Sequence, residues 1–484
     1  MFSKKNIRIA AIWSGIEAIS SVLLSLISIV YLARILHPAD YGNIAMAQVI
    51  AGLISLIFSF GLTESIIQKK DLTQDIKETA FVASILFCAL ALIISVVVLV
   101  FLWIYIDERI VSYIFIFEIF GVVFTLLSLL PTALLLRDLK MSAFTKRTLL
   151  SRVIFFLVTV PLALSGHGVW SVVYGNFAQS LTSMVLLFIA TRKDLPKRLT
   201  FNPLIFKELF SFGVYVMAEN ILWSVLSRVF SLLIATFHGT YALGLYNMAT
   251  RITDALLNVL NTVVSRMALP LFSQVQDDLS KLKNIFSRTT KIFNTISMPA
   301  FVGMAITCPE WVPVILGDGW VNAVPVIQVI AIMYAVMYSR MFVGIAMKAV
   351  GESKRFMLLS ALSATLSVIT VLLTKNYSLT ETMVSWSTVR VVVTIPVGIF
   401  LMNKILGING YQQLKPVFIP LLSTLLMAGA IFVLKMFFVS EFQNVILRLI
   451  MVGLLGGGVY FLSFIVLTFS TKIASGGCKW KASK

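Results

Sequence analysis

The chain is poor in most of the residues from which soluble enzymes build their sites. It has three cysteines in 484 residues, Cys88, Cys308 and Cys478, widely spread and without a CxxC pair. That excludes a disulfide framework and a thiolate metal site. Its three histidines, His37, His167 and His238, all fall in short gaps between apolar runs. A titrating gate is one reading of them; ordinary loop polarity is the plainer one. No metal site is expected. Charged residues are only 12% of the chain, and acids are the scarcer sign, 21 against 39 Lys and Arg. Stretches polar enough for a soluble domain are missing as well.

What is present is apolar. The hydrophobic fraction is 59% and the mean hydropathy is +0.97, far outside the soluble range. A spanning helix needs about 20 apolar residues. Fourteen such runs can be read, at about 9–36, 41–66, 79–105, 110–136, 144–165, 168–191, 209–237, 241–270, 287–308, 321–349, 356–374, 380–403, 416–438 and 444–471. The first run follows a basic start and carries Glu17, and it reads as a retained span rather than a cleaved leader. The chain is therefore expected to be an all-α polytopic membrane protein.

Lys and Arg alternate across these runs. Gaps on one side hold Lys4, Lys5, Lys69, Lys70, Arg137, Lys140, Lys146, Arg147, Arg192, Lys193, Lys281, Lys283, Lys354, Arg355 and Lys415, among others. Gaps on the other side hold only Arg109, Lys375 and Lys435. Cytoplasmic loops carry the excess, so both termini are expected in the cytoplasm. The net charge of +18 is then explained by anionic headgroups, and nucleic acid is not expected as a partner.

An internal repeat is visible. "ILHPADYGNIAMA" closes the first run and "TFHGTYALGLYNMA" closes the seventh; with one gap, His37 matches His238, Gly42 matches Gly244, and Met46-Ala47 matches Met248-Ala249. Six runs separate the copies, so both point the same way. This predicts two six-helix lobes in parallel pseudo-twofold repeat, residues 1–200 and 201–405, with two further spans and a tail at 406–484. The stretch 273–291 starts polar and repeats Leu279, Leu282, Ile285 and Phe286 at helical spacing, as an interfacial helix would. The longest external loop is expected from Pro309 to Trp320.

Charges inside the apolar runs are costly and mark function or internal pairing. The arginines are Arg152, Arg228, Arg251, Arg340 and Arg390, with Arg34, Arg266 and Arg448 near run ends. A guanidinium stays ionised and binds phosphate bidentately, so the first five are candidate ligands for an anionic substrate. For each, the alternative is a structural ion pair. Arg251 leads, because it sits on the repeat-bearing helix with Asp254 three residues on, on the same face. Glu17, Glu219 and Asp254 are candidate carriers of a coupling proton or sodium ion, or else structural carboxyls; Glu118 shares that ambiguity.

Three stretches, "LLLRDLKMSAFTKRTLLSRVIFFLVTVPLALSGHGVWSVVYGNFAQSL", "GTYALGLYNMATRITDALLNVLNTVVSRMALPLFSQVQDD" and "MPAFVGMAITCPEWVPVILGDGWVNAVPVIQVIAIMYAVM", resemble in register the polysaccharide transporter family of the multidrug/oligosaccharidyl-lipid/polysaccharide exporter superfamily, nearest to Wzx-type flippases of the colanic-acid-exporter kind. Arg251 matches the Arg of the family's "LGxYxxAxR". The resemblance implies translocation of undecaprenyl-pyrophosphate-linked oligosaccharide across a bacterial inner membrane by alternating access, for lipopolysaccharide or exopolysaccharide assembly. It implies a cationic cavity, no cofactor beyond a proton or sodium gradient, and a polysaccharide polymerase and chain-length machinery as partners. A small-molecule exporter of the same superfamily is the alternative, and its cavity should be more acidic. A membrane glycan polymerase or ligase is the remote one, since it needs a larger catalytic loop. The charge pattern makes a direct prediction: a cysteine introduced at His167 is labelled by an impermeant maleimide from outside intact cells, and one at Lys283 is not. Labelling at Lys283 would overturn the topology.

Overall fold

The computed structural model describes residues 30–474 except 60, 70, 106–108, 139, 274–277, 351 and 439–444, together with positions before residue 30 that include Trp13, Glu17 and Ser21. Side chains at 212–223 and 261–271 lie outside the described residues. No strand occurs among the described residues. Among the described residues, twelve helices are long and apolar enough to cross a membrane, as a multi-pass membrane protein requires. Within the first run, Leu23–Ala33 form helix α1. Runs seven and eight are joined in one helical element that turns at Gly239 (φ 83°, ψ 169°), where a left-handed φ leaves little choice but glycine.

The elements divide into two compact units, residues 1–247 and 248–484. In the first lie α1, α2 (Pro38–Ser59), α3 (Leu62–Gln68), α4 (Gln74–Tyr105), α5 (Arg109–Leu127), α6 (Leu129–Arg137), α7 (Met141–Leu164) and α8 (Val169–Thr191). The border falls inside α9 (Pro203–Ser273). The second holds α10 (Leu279–Ile315), α11 (Val324–Tyr338), α12 (Phe342–Ala349), α13 (Ser353–Leu373), α14 (Leu379–Leu406), α15 (Gly410–Phe438) and α16 (Val445–Ala474).

Three expected spans are interrupted. Gly61, at φ 63°, separates α2 from α3. Ser128 (φ −86°, ψ 0°) separates α5 from α6, and a turn at Ser339–Met341 separates α11 from α12. Exposed carbonyls at such points need partners. The Arg137 guanidinium closes the end of α3 by donating to the Ile66 and Lys69 carbonyls. Lys69 also pairs with Glu208. Just before α9, Glu78 accepts from the Thr200 hydroxyl, so the chain after α8 is tied back to α4. Between α6 and α7, Lys140 bridges Asp138 (2.9 Å) and Asp194 (3.0 Å), and the bond to Asp138 pushes the ammonium pKa up.

Prolines inside α10 follow the same rule. Proline has no N–H for the carbonyl four residues back. Pro309 frees Ala305 O, which accepts from Gln328 Nε2 at 3.1 Å; Pro299 frees Thr295 O, which accepts from Tyr460 Oη at 2.7 Å. The prolines therefore tie α10 to α11 and α16. This corrects the expected loop at Pro309–Trp320: α10 runs on to Ile315, and a 3₁₀ turn occupies Asp318–Ala323. Glu310, read as a loop acid, and Lys435, read as a gap cation, form an ion pair at 2.7 Å between α10 and α15. The stretch before run nine is not a separate element either. From Leu279 it belongs to α10, and Leu282, Phe286 and Phe293 are buried in a cluster with Leu257, Phe342 and Met402.

The matched glycines of the repeat meet. A Cβ on Gly42 would strike the Thr240 carbonyl, and a Cβ on Gly244 would strike the Pro38 carbonyl. The two copies are thus in reciprocal contact, backbone against backbone, at equivalent positions. Gly42→Ala and Gly244→Ala are each expected to cost about 1–3 kcal/mol, the range for overpacked sites, measured as a fall in thermal unfolding midpoint in detergent. Unchanged midpoints for both would show that the contact is not required.

Candidate functional site

A cavity of about 400 Å³ lies inside the first unit. Its floor is the irregular backbone just described, with Thr63 beside the Gly61 break and Ser128, Leu129 and Thr132 around the α5–α6 junction. Interrupted helices at membrane depth are tolerated where they are buried or line a cavity, and transporters place binding groups there. The walls come from helix periodicity. Arg147, Thr148, Ser151 and Arg152 share one face of α7, and Gln179, Ser180, Ser183 and Leu187 share one face of α8, by their spacings of three and four.

The Glu17 carboxylate accepts from Thr148 Oγ1 at 3.2 Å, although Glu17 itself does not line the cavity. Arg152 Nη1 donates to Ser21 O at 2.8 Å. Arg147 Nη2 donates to Thr148 Oγ1 at 3.2 Å, and its guanidinium lies 4.3 Å from the Phe144 ring centroid, a favourable cation–π distance. Arg147 Nε is buried without a partner. Of the expected residues, Arg152 lines the cavity and Glu17 touches its rim only through Thr148. Arg147 was missed, because in the sequence it reads as one more cation of a basic gap. Its signal was position: it precedes Arg152 by five residues, on the cavity face of the same helix.

The other expected residues stand elsewhere. Arg228 reaches Val49 O at 3.5 Å, and its guanidinium fills the space a side chain at Gly52 would occupy. Glu118 accepts from Gln48 Nε2 at 3.2 Å. Glu219 lies on α9, but its side chain is outside the described residues. In the second unit Arg251 is exposed, whereas Asp254 is half-buried and accepts from Tyr334 Oη at 2.7 Å. Tyr334 in turn meets Tyr338 edge to face at 5.0 Å. Arg390 donates from Nε to Ser363 Oγ at 3.2 Å and lies 5.1 Å from the Trp386 ring centroid. Arg340 is the most committed. Sitting at the α11–α12 turn, it donates to Ile395 O at 2.6 Å and to Gln413 Oε1 at 2.5 Å. Gln413 passes the connection on to Ile399 O and Ile408 O. No group of three or more metal-ligating side chains occurs among the described residues.

The helical fold is shared with two solved membrane proteins. The lipid II flippase MurJ, in an inward closed conformation, superposes with a TM-score of 0.72 at 13% identity, over 96% of this chain and 100% of that one. An inward-facing multidrug resistance MATE transporter gives 0.56 at 15% identity, over 80% and 94%. Residues 31–325 match the model of the polysaccharide biosynthesis protein family, and the chain belongs to that family. It is 23% identical over 327 residues to an uncharacterized membrane protein in the cps region of Klebsiella pneumoniae, covering 66% of each chain. It is 23% identical over 326 residues to the lipopolysaccharide biosynthesis protein WzxC of Escherichia coli K12, covering 66% of this chain and 65% of the relative. The matched region thus spans just under two thirds of these relatives.

Arg340→Ala removes the donor to the Ile395 carbonyl and the Gln413 amide oxygen and is expected to destabilise by about 1–3 kcal/mol, the scale of buried acceptors left without a partner. A thermal melt of the variant against the wild type in one detergent decides it; an unchanged midpoint would show that the network is not required.

Proposed function

We propose that this protein is a flippase that carries polyprenyl-pyrophosphate-linked oligosaccharide across a bacterial inner membrane by alternating access, for lipopolysaccharide or exopolysaccharide assembly. The observation that carries the reading is the first-unit cavity: two guanidinia and a wall of hydroxyls at two interrupted spans. Cations suit an anionic headgroup, and hydroxyls suit sugar. The names of the relatives, a lipopolysaccharide biosynthesis protein and a capsule-region membrane protein, point the same way. A cation exporter would favour an acidic cavity; the residues lining this one include Arg147 and Arg152 and no carboxylate.

Further parts of the proposal follow from it. Both termini face the cytoplasm, and residues 1–200, 201–405 and 406–484 act as two lobes and an appendage. The first run and α7 are tied in parallel, Trp13 to Thr145, Glu17 to Thr148 and Ser21 to Arg152, which supports their basic starts lying on one side. Arg251, Arg228, Arg340 and Arg390 join Arg152 as candidate substrate contacts, with Arg340 and Arg390 the most occupied by protein partners. Glu17, Glu219 and Asp254 are the candidates for coupling to a proton or sodium gradient. A polymerase and chain-length machinery receive the product.

The test is flipping in proteoliposomes. A fluorescent polyprenyl-pyrophosphate-linked oligosaccharide becomes accessible to an external quencher only on crossing. Arg251→Ala is expected to lower the rate by at least about tenfold, the scale of one lost charge-assisted contact, and Arg251→Lys to recover part of it, because an ammonium loses the bidentate contact. No protein-dependent crossing of the wild type would overturn the function; a wild-type rate in Arg251→Ala would remove that residue from the path.

A further inference from the structure

We propose that residues 192–207, the stretch that joins α8 to the first turns of α9, form a docking surface for anionic phospholipid headgroups of the inner leaflet. The inference rests on the inward placing of the basic gaps and not on what the protein carries.

Four observations lead to it. The first is that the stretch is held in place. The Thr200 hydroxyl donates to Glu78, Asn202 N donates to Thr79 Oγ1 at 3.3 Å, and Leu209 O accepts from Ser65 Oγ at 2.8 Å. Phe206 packs on Phe87 of α4, ring centroids 6.0 Å apart. Asn202 Oδ1 accepts from Leu204 N at 2.9 Å and so caps α9, with Pro203 at the first helical position, where no N–H is needed. A fixed face is presented, not a loose loop. The second is charge. Arg192, Lys193, Lys197, Arg198 and Lys207 are exposed. The nearby acids are already used: Asp194 pairs with Lys140 at 3.0 Å and Glu208 pairs with Lys69. None of the five cations is in an ion pair among the described residues. The cations of the neighbouring gap differ, since Arg137 serves the Ile66 and Lys69 carbonyls and Lys140 two carboxylates. An uncompensated cationic strip on the inner side fits anionic headgroups.

The third is apolar exposure. Leu199, Phe201 and Leu204 are 66%, 40% and 79% exposed, whereas Leu209 is buried. Leu204 and Lys207, three residues apart, share a helix face. Apolar side chains beside uncompensated cations make an interfacial element: the apolar groups enter the acyl boundary while the cations meet headgroups. An acidic protein surface would answer the charges and leave these side chains in water; a bilayer surface answers both. The fourth is depth. From Pro203 to the turn at Gly239 the helix rises about 54 Å, and the hydrocarbon core is about 30 Å thick. With Gly239 at the outer end, the first turns of α9 pass beyond the hydrocarbon into the inner headgroup layer.

The experiment uses the full chain in nanodiscs of phosphatidylcholine with a rising share of phosphatidylglycerol. An environment-sensitive fluorophore is attached at Leu204→Cys in a Cys478→Ser background; Cys88 and Cys308 are buried. Its emission is expected to shift to the blue as phosphatidylglycerol rises, and to return at about 0.5 M salt, where exposed charges are screened within a few ångströms. Lys193→Gln, Lys197→Gln, Arg198→Gln and Lys207→Gln together should weaken the response at least about fivefold, the weight of one cation near an anionic surface. Removing as many charges at Arg288, Lys354, Lys404 and Lys415, exposed cations of the second unit, should change it less than about twofold, because screening keeps the effect local. Hydrogen exchange at residues 192–210 of the unlabelled wild type should slow with phosphatidylglycerol, which keeps the test open if a variant fails to fold. No response to phosphatidylglycerol by either readout, a shift indifferent to salt, equal loss in the two fourfold variants, or a full response in the first of them each overturns the proposal. The nanodiscs carry the anionic lipid on both faces, so a reversed topology leaves this readout intact and is detected separately by maleimide labelling at Lys283.

Discussion

Hydrocarbon offers no hydrogen bonds, so every polar atom that enters it must be answered from within the chain. That one constraint organises this structure. It explains why the prolines of α10 coincide with cross-helix ties. Each removes an N–H, and the orphaned carbonyl recruits Gln328 or Tyr460 from a neighbouring helix. It explains the placing of Arg137 over the end of α3. It also explains why the irregular backbone at Gly61 and Ser128 borders a polar cavity instead of lipid.

The same constraint sorts the arginines by how many donors the protein has already used. A guanidinium offers five N–H groups in a fixed fork. Arg340 spends its two terminal nitrogens on a carbonyl of α14 and the Gln413 amide of α15, and Gln413 reaches on to Ile399 of α14 and Ile408 in the linker between those helices. It thus acts as a rivet at the α11–α12 turn, with its Nε, like that of Arg147, buried without a partner. Arg390 divides itself between a serine and an indole. Arg152 ties α7 to α1 through Ser21 and still borders the cavity. Arg147 retains a buried, unpartnered Nε beside that cavity. Net charge alone would treat these four as equivalent; their hydrogen bonds do not.

Apolar periodicity was enough to read a helical membrane protein, because a spanning run is long and its signal is strong. The repeat was legible from a few residues because Gly42 and Gly244 are held by backbone, not by side chains: each faces a carbonyl of the other copy, and any larger residue collides. What could not be read is what depends on partners distant in sequence. Pro309 reads as a loop start until Gln328 is seen taking its carbonyl. Glu310 and Lys435 read as solvated ends until they are found paired across two helices. Arg147 falls next to Lys146 in a basic cluster, and positive-inside counting cannot tell a headgroup-facing cation from one that turns back along its helix into a cavity. Arg152 and Glu17 stand out in the sequence as charges in apolar runs, but that both meet neighbouring groups, Arg152 at Ser21 and Glu17 at Thr148, is a fact of tertiary structure alone.

The cavity and the attachment of the first run draw on the same groups. Trp13, Glu17, Ser21 and, in α1, Tyr31 meet α7 at Thr145, Thr148, Arg152 and Val160. Two of these four ties, at Thr148 and Arg152, are made by residues that line the cavity. A change at Thr148 or Arg152 therefore acts twice, on the lining of the cavity and on the contact that holds the start of the chain to α7.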